Sequence, residues 1–230
     1  MKNTLINRIA TKQVAEALGD LNEQVIYVGG AVVSLYIDDP AADDVRPTKD
    51  LDLSFEVITL SQLEQLRASL YDRGFTQSHE DTVVCRFRLN DKKVDVMSTH
   101  EVGWAPANRW FKPGFDQSIT FDLEGLPIRL MPLPYFIAAK FDAFHDRGSG
   151  DPRASHDFED IVYLLNHTSD LREQIVNSDE TVRSYLRESF LLILESKLLQ
   201  EAIIGNLYHE QQDERFEMIM TTLKNTVNGI

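Results

Sequence analysis

The sequence predicts an α+β fold in which an α+β module runs to about residue 131 and a helical module follows it. Three observations carry that reading. Short runs with period-two alternation recur before residue 131, helix-spaced apolar runs fill the chain after it, and Pro132 and Pro134 stand where the texture changes. The expected domains are therefore residues 1–131 and 132–230.

The elements follow in order. Leu5, Ile6, Ile9, Val14, Ala17 and Leu18 have helical spacing, so residues 3–18 form a helix that Gly19 stops. Val25–Val28 is a short strand broken by Gly29 and Gly30, and residues 31–37 read as a helix. Residues 38–49 are acidic, polar and proline-containing, hence a loop. Residues 51–57 form a second strand. Leu51, Leu53, Phe55 and Val57 line one face, while Asp50, Asp52, Ser54 and Glu56 take the other. A helix over 61–73 ends at Gly74. Strands over 82–89 and 93–98 flank Asn90-Asp91-Lys92 as a hairpin. Residues 100–116 read as irregular, and 118–123 with 126–130 form another hairpin around Glu124-Gly125. Helices are expected over 135–147, 156–166, 179–199 and 208–226.

Composition narrows the class. Apolar residues make up 43% and charged residues 26% of the chain, which fits a soluble globular protein. No apolar run approaches the ~20 residues that span a bilayer, so no membrane partner is expected. The first residues lack the apolar core of a secretory signal, and Cys85 is the single cysteine, so a reducing cytoplasm is the expected location. The net charge of −14 opposes long-range attraction to nucleic acid or anionic membranes, although a local basic cleft can act against that background.

One constellation carries chemistry. A strand runs into Gly29-Gly30, and Lys49-Asp50-Leu51-Asp52-Leu53 and Val94-Asp95-Val96 follow. Carboxylates at i and i+2 on a strand project the same way, close enough to share a divalent cation. A third carboxylate on a neighbouring strand completes the cage. Three such charges repel one another unless something cationic lies between them. Mg²⁺ (or Mn²⁺) takes oxygen ligands, and two ions about 3.5–4 Å apart clamp the attacking and leaving oxygens of an in-line displacement. Glycine lets backbone approach a phosphate closely, and a following helix N-terminus favours an anion. Ser34, one turn in, offers a hydroxyl.

This order resembles the DNA polymerase β nucleotidyltransferase superfamily over roughly residues 20–100. The resemblance implies a polymerase β-like module with a mixed sheet and flanking helices. It makes Asp50 and Asp52 metal ligands, has Asp95 join the metal site or act as general base, and puts the triphosphate of a nucleoside triphosphate on Gly29 and Gly30. The spacer before Asp50 is longer than the family's, and residues 38–47 read as an insertion that could reshape acceptor access. A second stretch, Ala138-Ala139-Lys140 to Arg147 and then His156-Asp157-Phe158-Glu159-Asp160 before Leu164-Leu165, is similar to nucleotidyltransferase toxins of abortive-infection and toxin–antitoxin systems. It implies that Lys140 meets the nucleotide phosphates and that Asp157 supports the cleft; His156 stands where that family has lysine. The acceptor is then tRNA or protein, and a cognate antitoxin is a possible partner. An aminoglycoside-type adenylyltransferase and a non-catalytic nucleotide-binding module are the alternatives.

The remaining polar residues have weaker claims. A hairpin turning at Asp91-Lys92 would set Arg88 opposite Asp95, to orient it or to touch phosphate, and Arg86 shares that face. Arg46 and Lys49 precede the aspartates, where solvated loop charges are the commoner reading. His79, His145 and His156 lack zinc-ligand spacing. Trp104 and Trp110 could stack a base or cover the sheet.

Overall fold

The period-two runs of the first half become one six-stranded mixed sheet. The computed structural model describes residues 2–147 and 151–229. The strands are β1 (Val25–Val28), β2 (Asp50–Phe55), β3 (Arg86–Leu89), β4 (Lys92–Ser98), β5 (Ile119–Leu123) and β6 (Leu126–Leu130). Their order across the sheet is β3-β4-β2-β1-β6-β5. β2 runs antiparallel to β1 and parallel to β4, and β1 runs parallel to β6. Apolar alternation puts Leu51, Leu53 and Phe55 of β2 and Val94 and Val96 of β4 in the core.

The chain divides into two compact units. The first comprises Met1–Ser34 and Asp43–Pro132, and the second Leu35–Ala42 and Leu133–Ile230. The first holds the sheet with α1 (Lys2–Leu18), α2 (Leu60–Asp72) and the short α3 (Phe111–Asp116). Thr59 and Gln62 form a capping box that starts α2. The second unit is helical: α4 (Leu133–Arg147), α5 (His156–His167), α6 (Leu171–Val176), α7 (Glu180–Glu195), α8 (Lys197–Gly205) and α9 (Gln212–Asn228). Its core is aromatic, with Phe141 edge-on to Phe190 at 6.1 Å and Phe144 against Phe158 at 5.1 Å. Burying each such ring contributes about 1.5–3 kcal/mol. Among the described residues, no helix is long and apolar enough to cross a membrane.

The structure departs from the sequence expectations in several places, among them α3 in the stretch expected to be irregular and the unexpected helix α6. Residues 30–35 form a 3₁₀ helix rather than a longer helix over 31–37, as Val32 and Val33 are β-branched and both buried. The helix expected over 179–199 breaks at Ser196, whose hydroxyl accepts from the Leu199 N–H and so caps α8. Residues 82–85 are not strand, and the Arg86 N–H closes a turn onto the Val83 carbonyl. The β3–β4 hairpin turns at Asn90-Asp91, with Leu89 paired to Lys92. Asn90 sits at φ 56°, a left-handed conformation that asparagine tolerates.

The acidic stretch 38–47 is consumed by structure. In the second unit, the backbone N–H groups of Asp38 and Asp39 donate to the His167 carbonyl at 3.2 and 3.3 Å. The Asp38 carboxylate accepts from Ser169, and Asp39 faces both His167 Nδ1 and Arg215 at 3.0 Å. In the first unit, Asp44 accepts from the N–H groups of Asn3 and Thr4 at 2.8 and 2.9 Å, which caps the first turn of α1. Burial raises the Asp44 carboxyl's pKa, but those N–H donors outweigh it and hold the group well below the usual carboxylate range.

Candidate active site

The three parts of the glycine–aspartate pattern lie on adjacent strands. β2 sits between β1 and β4, so Asp52 is paired with Val28 on one side and with Asp95 on the other. Register partners on neighbouring strands share a face, and so do residues two apart. Asp50, Asp52 and Asp95 therefore project from the same side of the sheet.

Gly29 follows Val28 and lies directly against Asp52. A Cβ built on Gly29 would come within 1.8 Å of Asp52 Oδ2, and Gly29 has φ +74°. Only glycine suits both the space and the backbone. At Gly30 a Cβ would meet Arg46 Nη2 at 2.3 Å and Thr48 Cγ2 at 2.8 Å. The turn is thus enclosed by the carboxylate of Asp52 and by the residues that lead into β2. Arg46 and Thr48 were not legible as its neighbours, because they are distant from Gly30 in the sequence.

An arginine sits among the aspartates. Arg86 Nε donates to Asp95 Oδ1 at 2.7 Å, Nη2 donates to Asp95 Oδ2 at 2.7 Å, and the same Nη2 donates to Asp50 Oδ2 at 2.6 Å. The bidentate bond to Asp95, opposed by burial, raises the guanidinium further above its usual range. Arg86 and Asp95 are well shielded, with side chains 13% and 14% exposed, whereas Asp50 is 35% exposed. The cluster is therefore closed on the Asp95 side and open on the Asp50 side. The sequence expectation had put Arg88 opposite Asp95. The hairpin turns one residue earlier, which shifts the pairing by two and substitutes Arg86 without changing the face. Arg88 pairs with Lys93 on the ladder and gives its guanidinium to Asp81 at 2.7 Å.

The other candidates fall elsewhere. Ser34 is buried on the 3₁₀ helix, with no hydrogen-bond partner for Oγ among the described residues. That six-residue helix is shorter than the helix expected there and carries a smaller aligned dipole. Lys49 is exposed. In the helical unit, Lys140 Nζ of α4 donates to Asp160 at 2.7 Å and Asp157 at 3.2 Å, both on α5. Arg147 adds a bond to Asp157 at 3.0 Å. Ser155 caps α5 at the Phe158 N–H. His156 pairs with Glu159 on the surface, and His145 packs on Phe141 and Phe144. Trp104 donates to Glu64 beneath Arg67, and Trp110 is buried. Burial pushes the Cys85 thiol up to about 11.

The donor set suits a hard cation. Asp50 and Asp52 offer carboxylate oxygens from one strand face, which is Mg²⁺ or Mn²⁺ chemistry. Among the described residues no three His, Cys, Asp or Glu side chains converge on one point as a metal cage. Arg86 draws Asp95 and one oxygen of Asp50 to itself.

A family model described as nucleotidyl transferase AbiEii toxin, type IV TA system, matches residues 15–226. Among solved structures, an antigenic nucleotidyltransferase-like protein from Paracoccidioides brasiliensis aligns with a TM-score of 0.49 and 17% identity, over 86% of this chain and 92% of that one. The antibiotic-resistance factor ANT(2'')-Ia aligns with a TM-score of 0.49 and 15% identity, over 80% of this chain and 95% of that one. A search of curated proteins finds no match.

Proposed function

Because the chain belongs to the nucleotidyl transferase AbiEii toxin family of type IV toxin–antitoxin systems, we propose that it moves a nucleoside monophosphate from a nucleoside triphosphate to a hydroxyl of tRNA or protein. Membership makes the chain a nucleotidyltransferase and implies a cognate antitoxin; the acceptor is the proposed part. One observation carries the assignment of the site. The Gly29 backbone abuts the Asp52 carboxylate, and Asp95 stands beside Asp52 in register. That juxtaposition supports a reading of the turn as backbone for phosphate, next to the carboxylates that would hold a cation.

Each group has a role in the displacement. The Gly29-Gly30 turn receives the triphosphate, since neither residue carries a Cβ to block it. Asp50 and Asp52 would hold the divalent cation, which when bound screens the phosphate charge and polarises its oxygens. The acceptor oxygen bonds to the α-phosphorus as the bond from that phosphorus to the bridging oxygen breaks. Pyrophosphate leaves with the bonding electron pair. The acceptor proton passes to Asp95, whose position Arg86 fixes from both carboxylate oxygens.

The test is incubation with each α-labelled nucleoside triphosphate, Mg²⁺ and a cell extract, comparing wild type with Asp52→Ala. Label entering RNA or protein only with wild type is the expected result. Label in small molecules would transfer the assignment to drug-type adenylylation. No wild-type-specific label with Mg²⁺ or Mn²⁺ would sink the catalytic reading.

A further inference from the structure

The two glycines of the turn are constrained differently. Gly29 lies at φ +74°, a backbone conformation that other residues rarely adopt, and Gly30 does not have a φ of that kind. Gly30 is constrained by space instead. A Cβ there would lie 2.3 Å from Arg46 Nη2 and 3.0 Å from Arg46 Cζ. The Arg46 guanidinium therefore rests against the backbone of the turn itself.

That placement is held from behind. Arg46 belongs to the segment that leads into β2, and α1 grips the segment on both sides of it. Asp44 accepts from the N–H groups of Asn3 and Thr4, the Val45 carbonyl accepts from Asn3 Nδ2 at 2.9 Å, and the Thr48 hydroxyl donates to Asn7 Oδ1 at 3.0 Å. Val45 itself is buried. A side chain whose backbone is fixed in advance has less freedom to lose on binding, so more of its interaction energy appears as affinity. The position within the turn also matters. Gly29 abuts Asp52, where a cation-bound α-phosphate would react, and Gly30 lies one residue further along.

Resting on the reading of the turn given above, we propose that Arg46 is a triphosphate-binding residue, whose forked guanidinium bonds the β- and γ-phosphates seated on Gly30. It then selects a nucleoside triphosphate over a monophosphate and stabilises the charge that develops on the leaving pyrophosphate. Arg46 has other partners as well. A guanidinium offers five N–H donors, so phosphate oxygens join or exchange with a set already in use.

The test is calorimetric titration in Mg²⁺ of wild type, Arg46→Gln and Arg46→Lys, using α,β-methylene analogues of the four ribonucleoside triphosphates and the matching monophosphates. For the nucleotide that wild type binds, Arg46→Gln is expected to weaken the triphosphate analogue by ~10-fold or more. The monophosphate is expected to stay within about twofold. Arg46→Lys keeps the charge and loses the fork, and its triphosphate affinity is expected to fall between the two. Wild-type triphosphate affinity in either variant when cooperatively folded, or an equal loss for triphosphate and monophosphate, overturns the inference and leaves the transfer reaction standing. Should Arg46→Gln fail to fold, Arg46→Lys decides alone. Failure of wild type to bind any triphosphate analogue overturns both the inference and the reading of the turn.

Discussion

Two clusters in this molecule share a motif, one cation held between two aspartates, to which the helical one adds Arg147 on Asp157, yet they are built for different ends. In the sheet unit, Arg86 lies between Asp95 and Asp50. In the helical unit, Lys140 lies between Asp160 and Asp157. The difference is in the scaffold and the exposure. Lys140 and Asp160 are almost wholly buried, and the two aspartates sit one turn apart on a helix, facing another helix. The sheet cluster keeps Asp50 open, and a glycine turn lies against the third carboxylate, Asp52. A buried cluster with its charges satisfied holds elements together. A cluster with one accessible carboxylate can still admit a cation from solvent.

That contrast is sharpest in stability. Asp160→Ala strips a buried ammonium of its shorter ion pair but leaves the one to Asp157 at 3.2 Å, so the loss should fall below the about 3–5 kcal/mol of a fully unpaired buried charge. Urea unfolding should show that loss. If the midpoint holds and the KM for nucleotide rises instead, Lys140 serves the nucleotide, as the toxin resemblance implies, and the contrast between the clusters dissolves. Gly29→Ala should do the converse. The new methyl, 1.8 Å from Asp52 Oδ2, forces that carboxylate aside. A displacement of that order costs about 100-fold in kcat, with cooperative unfolding retained. Single-turnover kinetics that stay within about twofold of wild type would remove Asp52 from the reaction.

Arg88→Gln should have a smaller effect. Its guanidinium holds Asp81, whose side chain is 6% exposed, so it anchors the segment before β3 and does not touch the aspartate cluster. Transfer activity within about twofold of wild type is expected, against a clear loss for Arg86→Gln. Equal losses would mean that the site is not specific to the arginine that faces Asp95.

The legibility of the fold followed the strength of its local signals. Strict alternation through Leu51–Phe55 and Val94–Val96 located the central strands, and the Gly29-Gly30 break located the turn between β1 and the 3₁₀ helix. What failed was register and competition. A hairpin with Asn90-Asp91-Lys92 at its tip can turn at two places, and only the left-handed φ of Asn90 selects one, which decides between Arg86 and Arg88. Ser196 reads as an ordinary helix residue until its hydroxyl caps the next helix. The contacts of Arg46 and Thr48 with Gly30 are long-range in sequence, and no periodicity encodes them.

The smallest expected effect concerns the strand that supplies Arg86. Cys85 precedes it, its thiol pushed up to about 11 by burial and by the charge of Asp95. The folded state therefore prefers the protonated thiol. Any stability from this preference is complete below the thiol's ordinary range and fades as pH climbs toward about 11. At pH 8 the folded chain should react with iodoacetamide far more slowly than the urea-unfolded chain, because the thiolate is the nucleophile. Arg86→Gln should quicken that reaction if losing the Asp95 pairing loosens the start of β3. An unchanged rate would show instead that Arg86 governs the charge of the cluster without holding the strand in place.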